Sequence, residues 1–161
     1  MGVSGSGKTT IARAVAERLG HGFVDADDLH PPSNRARLAA GIALTDADRA
    51  PWLDAVARAI WARLAGGGRI VVACSALKRV YRDRLRRAAE HMVLVHLDLD
   101  RATLEQRLRL RRGHFMPQSL LHDQLATLQP PAADERAIIV RPVGPVVDTV
   151  EQVISKLRRT P

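Results

Sequence analysis

Apolar residues recur along the chain at two spacings, and each spacing predicts a different element. Residues 8–19 place Ile11, Val15 and Leu19 four apart, the stripe of an amphipathic helix closed by Gly20. A short strand is expected at Gly22–Asp25. Pro31 and Pro32 interrupt the chain, Ser33 is a candidate cap, and Arg35–Ala40 reads as a short helix ended by Gly41. Thr45 or Asp46 can cap the next helix, in which Leu53, Val56, Ile60 and Leu64 share a face before the glycines at 66–68 stop it. Ile70–Cys74 is a continuous apolar run, the kind expected of a parallel strand covered on both faces. The remaining order is helix Lys78–Ala89, strand Met92–Leu97, helix Arg101–Arg111, helix Gln118–Leu128, strand Ala137–Val140 and helix Val146–Arg158, with Pro145 suited to the last helix's first turn.

Strands alternating with helices imply crossover connections, hence a mostly parallel sheet in a three-layer α/β fold. The 161 residues are expected to form a single domain, 1–161, without internal repeats or a dividing linker. The least regular stretch, about 111–118, contains Gly113 and Pro117 between two helices and is the candidate lid. The lone Cys74 lies in an apolar run and reads as a small buried hydrophobe in a reducing, cytoplasmic setting. No apolar run approaches the 18 or so residues of a membrane span, so no membrane partner is expected.

Charge narrows the partner to an anion: 25 Lys and Arg against 17 Asp and Glu give +8. The arginines are spread over most predicted helices, and 2 Phe, 2 Trp and 1 Tyr are too few for a base-stacking surface. Nucleic acid is therefore not the expected partner.

Gly2-Val3-Ser4-Gly5-Ser6-Gly7-Lys8-Thr9 matches G-x-x-x-x-G-K-[ST] and runs directly into a predicted helix. Gly5 and Gly7 allow backbone conformations that turn successive N–H groups inward, and the helix N-terminus adds its positive dipole end. Lys8 can bridge the outer phosphates of ATP, Thr9 supplies a hydroxyl for Mg²⁺, and Gly2, Ser4, Ser6 and Thr10 complete the candidate cradle. Only Met1 precedes Gly2, so the strand that normally feeds such a loop is expected to be truncated, exposing ladder groups on both neighbours. Each such group left buried and unpaired costs about 1–3 kcal/mol.

Asp25 and Asp27 follow the second predicted segment as an i, i+2 pair, which on an extended strand projects both carboxylates to one side. Asp25 is the candidate for the Mg²⁺ shell, and Asp27 for orienting or deprotonating an acceptor hydroxyl. A surface turn capped by aspartates is the plain structural alternative.

The run Asp25-Ala26-Asp27-Asp28-Leu29-His30-Pro31, then Asn34, then Leu44-Thr45-Asp46-Ala47-Asp48-Arg49-Ala50-Pro51-Trp52-Leu53, resembles bacterial gluconokinase, the small P-loop gluconate kinases related to shikimate and nucleoside monophosphate kinases. Cys74–Lys78 with Tyr81-Arg82-Asp83, Arg111–Met116, and Leu128-Gln129-Pro130 with Asp134-Glu135 resemble the same family in order and spacing, over about residues 1–136. Arg141–Pro145 departs from it, with no acidic residue where the family is Asp-rich.

The resemblance implies a P-loop NTPase fold and ATP-dependent phosphorylation of D-gluconate at its 6-hydroxyl. Its partners are then gluconate and ATP, with homodimerisation left open. Arg49, Lys78, Arg82, His30 and Gln129 offer the cations and hydrogen-bonding groups a sugar acid needs. Each also has a plain reading, Lys78 and Arg82 as an exposed i, i+4 pair, for example. Arg107 and Arg111 fall four apart on one helix face, and the kinase relatives imply Arg107 at the adenine and Arg111 at the phosphates. Two alternatives stay open: a related kinase acting on shikimate or a nucleoside monophosphate, and a non-catalytic module binding ATP or nucleic acid.

Overall fold

Why each helix begins where it does is visible in its first residues. The computed structural model describes residues 1–110 and 118–160. Helix α1 (Lys8–Leu19) starts at Gly7 and ends on Gly20, both left-handed. Helix α2 spans Pro32–Ala39, three residues ahead of the start expected at Arg35, because Pro32 fits the first turn, where no backbone N–H is needed. Helix α3 (Asp46–Ala65) opens with a reciprocal box: the Thr45 hydroxyl takes the Asp48 amide and the Asp48 carboxylate takes the Thr45 amide. Helices α4 (Arg79–Arg86), α5 (Arg101–Leu110), α6 (Gln118–Thr127) and α7 (Val146–Leu157) follow in the expected order. Pro145 stands just before α7 as its cap rather than inside the first turn.

The strands are short. Strand β1 (Gly22–Asp25) pairs in parallel with β2 (Ile70–Ala73), Gly22 opposite Ile70 and Asp25 opposite Ala73. Strand β3 (Val95–Leu97) pairs in parallel with β4 (Ile138–Val140). The expected parallel layer is thus present as two pairs. Between them lie the first two residues: Met1 donates to the Val95 carbonyl and accepts from Leu97 N at 3.0 Å, and Gly2 N donates to Ser75 O at 3.3 Å. These contacts satisfy ladder groups on β3 that the missing-strand expectation left exposed. Strand β2 is covered less fully than its composition suggests, with Ile70, Val71 and Val72 each half-buried.

Helices cover both faces. On one, Ile11 and Val15 of α1 and Val150, Val153 and Ile154 of α7 pack on Leu97, Ile138 and Val140. On the other, Trp52, Leu53, Val56 and Ile60 of α3 pack on Ala26, Cys74, Tyr81 and Leu85. Leu64, expected on that α3 stripe, is exposed. A third cluster, Val3, Leu77, Leu104 and Leu121, binds α5 and α6 to the glycine-rich loop. Among the described residues no helix is long and apolar enough to cross a membrane. Residues 111–117 of the expected lid, about 111–118, lie outside the described residues, Arg111 among them.

Candidate active site

The carboxyl ends of β1 and β2 open on the same side as the loop at residues 2–7, the edge where open α/β sheets bind ligands. Gly5 and Gly7 have φ of +83° and +90°, accessible at little cost only without a β-carbon. Gly5 is doubly constrained. A β-carbon there would lie 3.2 Å from Leu108 Cγ and 3.3 Å from the Leu104 carbonyl, so α5 rests directly on the loop. The Ser6 hydroxyl is fully buried inside the loop without a hydrogen-bond partner, and Lys8 Nζ reaches back to the Val3 carbonyl at 3.0 Å. An orphaned hydroxyl, inward-turned glycines and the start of α1 form a set of donors suited to phosphate oxygens.

At the foot of α1, Thr9 Oγ1 donates to Asp25 Oδ2 at 2.7 Å. The other carboxylate oxygen of Asp25 accepts from Asp27 N at 3.1 Å, which caps the 3-10 turn Ala26–Leu29. Strand β1 therefore stops at Asp25. Asp27 lies in the turn, exposed, and its direction follows from the turn rather than from the strand alternation the i, i+2 spacing implies. One hydroxyl and one carboxylate suit a hard cation that retains most of its water, as Mg²⁺ does. Among the described residues no group of three or more His, Cys, Asp or Glu could hold a metal without such help.

A polar wall is built from α3, α4 and the segment from His30 into α2. His30 stacks on Trp52, ring centres 4.3 Å apart, and Trp52 Nε1 donates to the Ala26 carbonyl at 2.6 Å. Burial, reinforced by Arg49 and Arg35, pushes His30 down to about 4, so the ring is neutral near pH 7. Asn34 Nδ2 lies 3.4 Å from His30 Nδ1 and donates to the Asp48 carbonyl at 2.8 Å, joining α2 to α3. Lys78 Nζ binds both oxygens of Asp46, at 2.7 and 2.8 Å, and the Tyr81 hydroxyl donates to the same carboxylate. Arg49 lies over the Tyr81 ring at 5.9 Å. Cys74, beneath this wall, is buried and its thiol is pushed up to about 11, which leaves it unreactive.

Two expected substrate ligands have other tasks. Arg82 is no exposed partner of Lys78. It is 1% exposed, its Nε and Nη2 are fixed by Glu135 at 2.6 and 2.8 Å, and its Nη1 is shared by the carbonyls of Ala76, Leu77 and Gln129. Gln129 caps α4 by accepting from Arg79 N at 2.7 Å. Both build the wall. Arg107, expected at the adenine, has its Nη1 3.9 Å from where a Gly7 β-carbon would stand, and its Nη2 donates to the Pro142 carbonyl at 2.8 Å. Thr10 is exposed one residue past Thr9.

Sequence reasoning missed Gln124, whose Oε1 accepts from Ser4 N at 2.7 Å and ties α6 to the loop. It missed Asp46 as well, read only as a cap candidate. The first had no local signal, since its partner is 120 residues away. The second had one, an acidic residue beside a cap already supplied by Thr45 and Asp48.

Residues 1–131 match the family model described as an AAA domain. The chain is 49% identical over 140 residues to the gluconokinase of Gluconobacter oxydans (strain 621H), covering 87% of this chain and 79% of that protein. It is 41% identical over 160 residues to the thermoresistant gluconokinase of Escherichia coli (strain K12), covering 97% and 91%. Its structure superposes on a crystal structure of a gluconokinase from Sinorhizobium meliloti 1021 with a TM-score of 0.89 at 44% identity, covering 99% and 89% of the two chains. At 23% identity, an APS kinase from Mycobacterium tuberculosis superposes with a TM-score of 0.68 and covers 98% and 94%, which speaks for the fold alone.

Proposed function

This chain belongs to the gluconokinase family, and from that premise we propose that it transfers the terminal phosphoryl group of ATP to the 6-hydroxyl of D-gluconate, giving 6-phospho-D-gluconate and ADP. The observation that carries the reading is the Thr9–Asp25 hydrogen bond, 2.7 Å long, at the foot of the glycine loop.

Transfer of this kind needs positioning and charge stabilisation more than covalent help. The loop amides of Gly5, Gly7, Lys8, Thr9 and Thr10 hold the phosphates, with the buried Ser6 hydroxyl as one further donor, while the expected donors Gly2 N, Ser4 N and Ser6 N are taken by Ser75 O, Gln124 Oε1 and Val3 O. Lys8 leaves the Val3 carbonyl to follow charge onto the transferring group, a contact stronger in the transition state than in the ground state. Thr9 and Asp25 would hold Mg²⁺, which when bound neutralises phosphate charge. Asp27 orients the acceptor hydroxyl and accepts its proton. Arg107, fixed to Pro142 O, flanks the nucleotide, and Arg111 is assigned to the phosphates. His30, Arg49 and Lys78 receive gluconate. The neutral His30 serves as a hydrogen-bonding group and not as a cation.

A coupled ADP-release screen across gluconate, shikimate, other sugar acids and nucleoside monophosphates tests activity and acceptor together. Turnover with gluconate that is lost in Lys8→Ala supports the reading. Turnover confined to another acceptor overturns it.

A further inference from the structure

Two donors of the wall converge on one carboxylate of the chain itself, and a further cation stands close by. Lys78 Nζ takes both oxygens of Asp46, the Tyr81 hydroxyl donates to Oδ1, and the Arg49 guanidinium and Lys78 ammonium flank the Tyr81 ring at 5.9 and 5.7 Å. This is the arrangement a sugar acid's carboxylate would require. Asp46 is not needed where it stands as a cap, because Thr45 and Asp48 form the capping box of α3 without it. Nor is it walled in, since its side chain is 61% exposed against 29% for Lys78.

We propose that Asp46 is a built-in competitor for the carboxylate subsite of Lys78, Tyr81 and Arg49, occupying it until the substrate's carboxylate displaces it. This rests on the gluconate reading and adds a specificity device to it. An acceptor without a negative charge does not displace the Asp46 carboxylate, whereas gluconate replaces it ion for ion. The cost falls on affinity: apparent binding is weakened by the fraction of molecules in which Asp46 holds Lys78. Exposed pairs of this kind are weak, so the penalty is about threefold to fivefold. Discrimination against neutral polyols is the return.

The test is steady-state kinetics of the full chain with ATP and two acceptors, gluconate and D-glucitol, its uncharged counterpart. For Asp46→Asn we expect KM for gluconate to fall about threefold to fivefold with kcat within about twofold, and activity on D-glucitol to rise. In Lys78→Met, gluconate KM rises, and adding Asp46→Asn to it no longer lowers that KM. A rise in gluconate KM in Asp46→Asn matching that of Lys78→Met overturns the proposal, since Asp46 would then be positioning Lys78. Thermal melting of each variant accompanies the kinetics. Should Asp46→Asn unfold, Asp46→Ser is measured on the same axes and must show the same fall. Wild-type chain inactive on gluconate would sink the underlying reading instead, a result separate from any ratio between variants.

Discussion

Arg82 and Glu135 form a two-pronged ion pair in the interior, Nε to Oε2 at 2.6 Å and Nη2 to Oε1 at 2.8 Å, with side chains 1% and 2% exposed. The third guanidinium nitrogen gathers the carbonyls of Ala76, Leu77 and Gln129, so one side chain fastens three segments behind the substrate wall. Removing one partner strands a buried charge, which costs about 3–5 kcal/mol. Glu135→Gln and Arg82→Met should each lower the melting temperature by about 10 °C in calorimetry. Arg82→Lys should not rescue, because an ammonium cannot reproduce the planar fork. A change of a degree or two would show the pair to be dispensable.

Stability should fall with acid in two successive windows. The folded chain holds His30 near 4 against an ordinary 6.5, so between those values the unfolded chain binds the extra proton and stability drops as pH falls. The full effect is about 3 kcal/mol. Glu135 is held below the usual 4.5 by Arg82, a contribution present above that value and lost as pH falls through its folded pKa. Urea midpoints from pH 7 to pH 3 should show both, and His30→Gln should flatten only the first. A midpoint unchanged between pH 6.5 and 4 in the parent chain contradicts the assignment.

Lys8→Ala should cut phosphoryl transfer by orders of magnitude while melting near the parent temperature, because what it removes is made mainly in the transition state. Asp27→Asn should depress turnover with ATP binding intact, since an amide holds a hydroxyl but takes no proton from it. Asp25→Asn should instead raise the Mg²⁺ concentration needed for half-maximal rate. Identical behaviour of the two aspartate variants would leave the division of labour between them without support.

Arg107→Ala should chiefly weaken nucleotide binding, and Arg111→Ala should lower kcat more than it weakens binding. Arg109 is exposed and bonds back to the Glu105 carbonyl at 3.3 Å, which makes Arg109→Ala the control. Three variants indistinguishable in stopped-flow nucleotide binding and turnover would dissolve this assignment.

What could be read in advance tracks the range over which the physics acts. Helix α1 and the loop before it were legible because both signals are local: glycines where φ must be positive, then apolar residues at four-residue spacing. The start of α2 was misplaced because Ser33 looked like a cap, whereas Pro32 fits the first turn without one. The burial of Arg82 was hidden because an i, i+4 neighbour is visible in sequence and a carboxylate 53 residues away is not. A still larger separation, 120 residues, hid Gln124 on Ser4. Strand β3 proved shorter than its apolar run, starting at Val95, although Leu94 is buried and its carbonyl accepts from Ile138 N at 2.8 Å. Asp25 and Thr9 were assigned from motif chemistry alone, and their 2.7 Å contact is what chain folding added.

If this loop and this wall serve one reaction, ³¹P NMR of the wild-type chain mixed with ATP, Mg²⁺ and D-gluconate should show a sugar phosphomonoester resonance that grows in step with ADP and coincides with that of 6-phospho-D-gluconate. ADP and inorganic phosphate growing equally with and without gluconate, and no phosphomonoester, would contradict that premise.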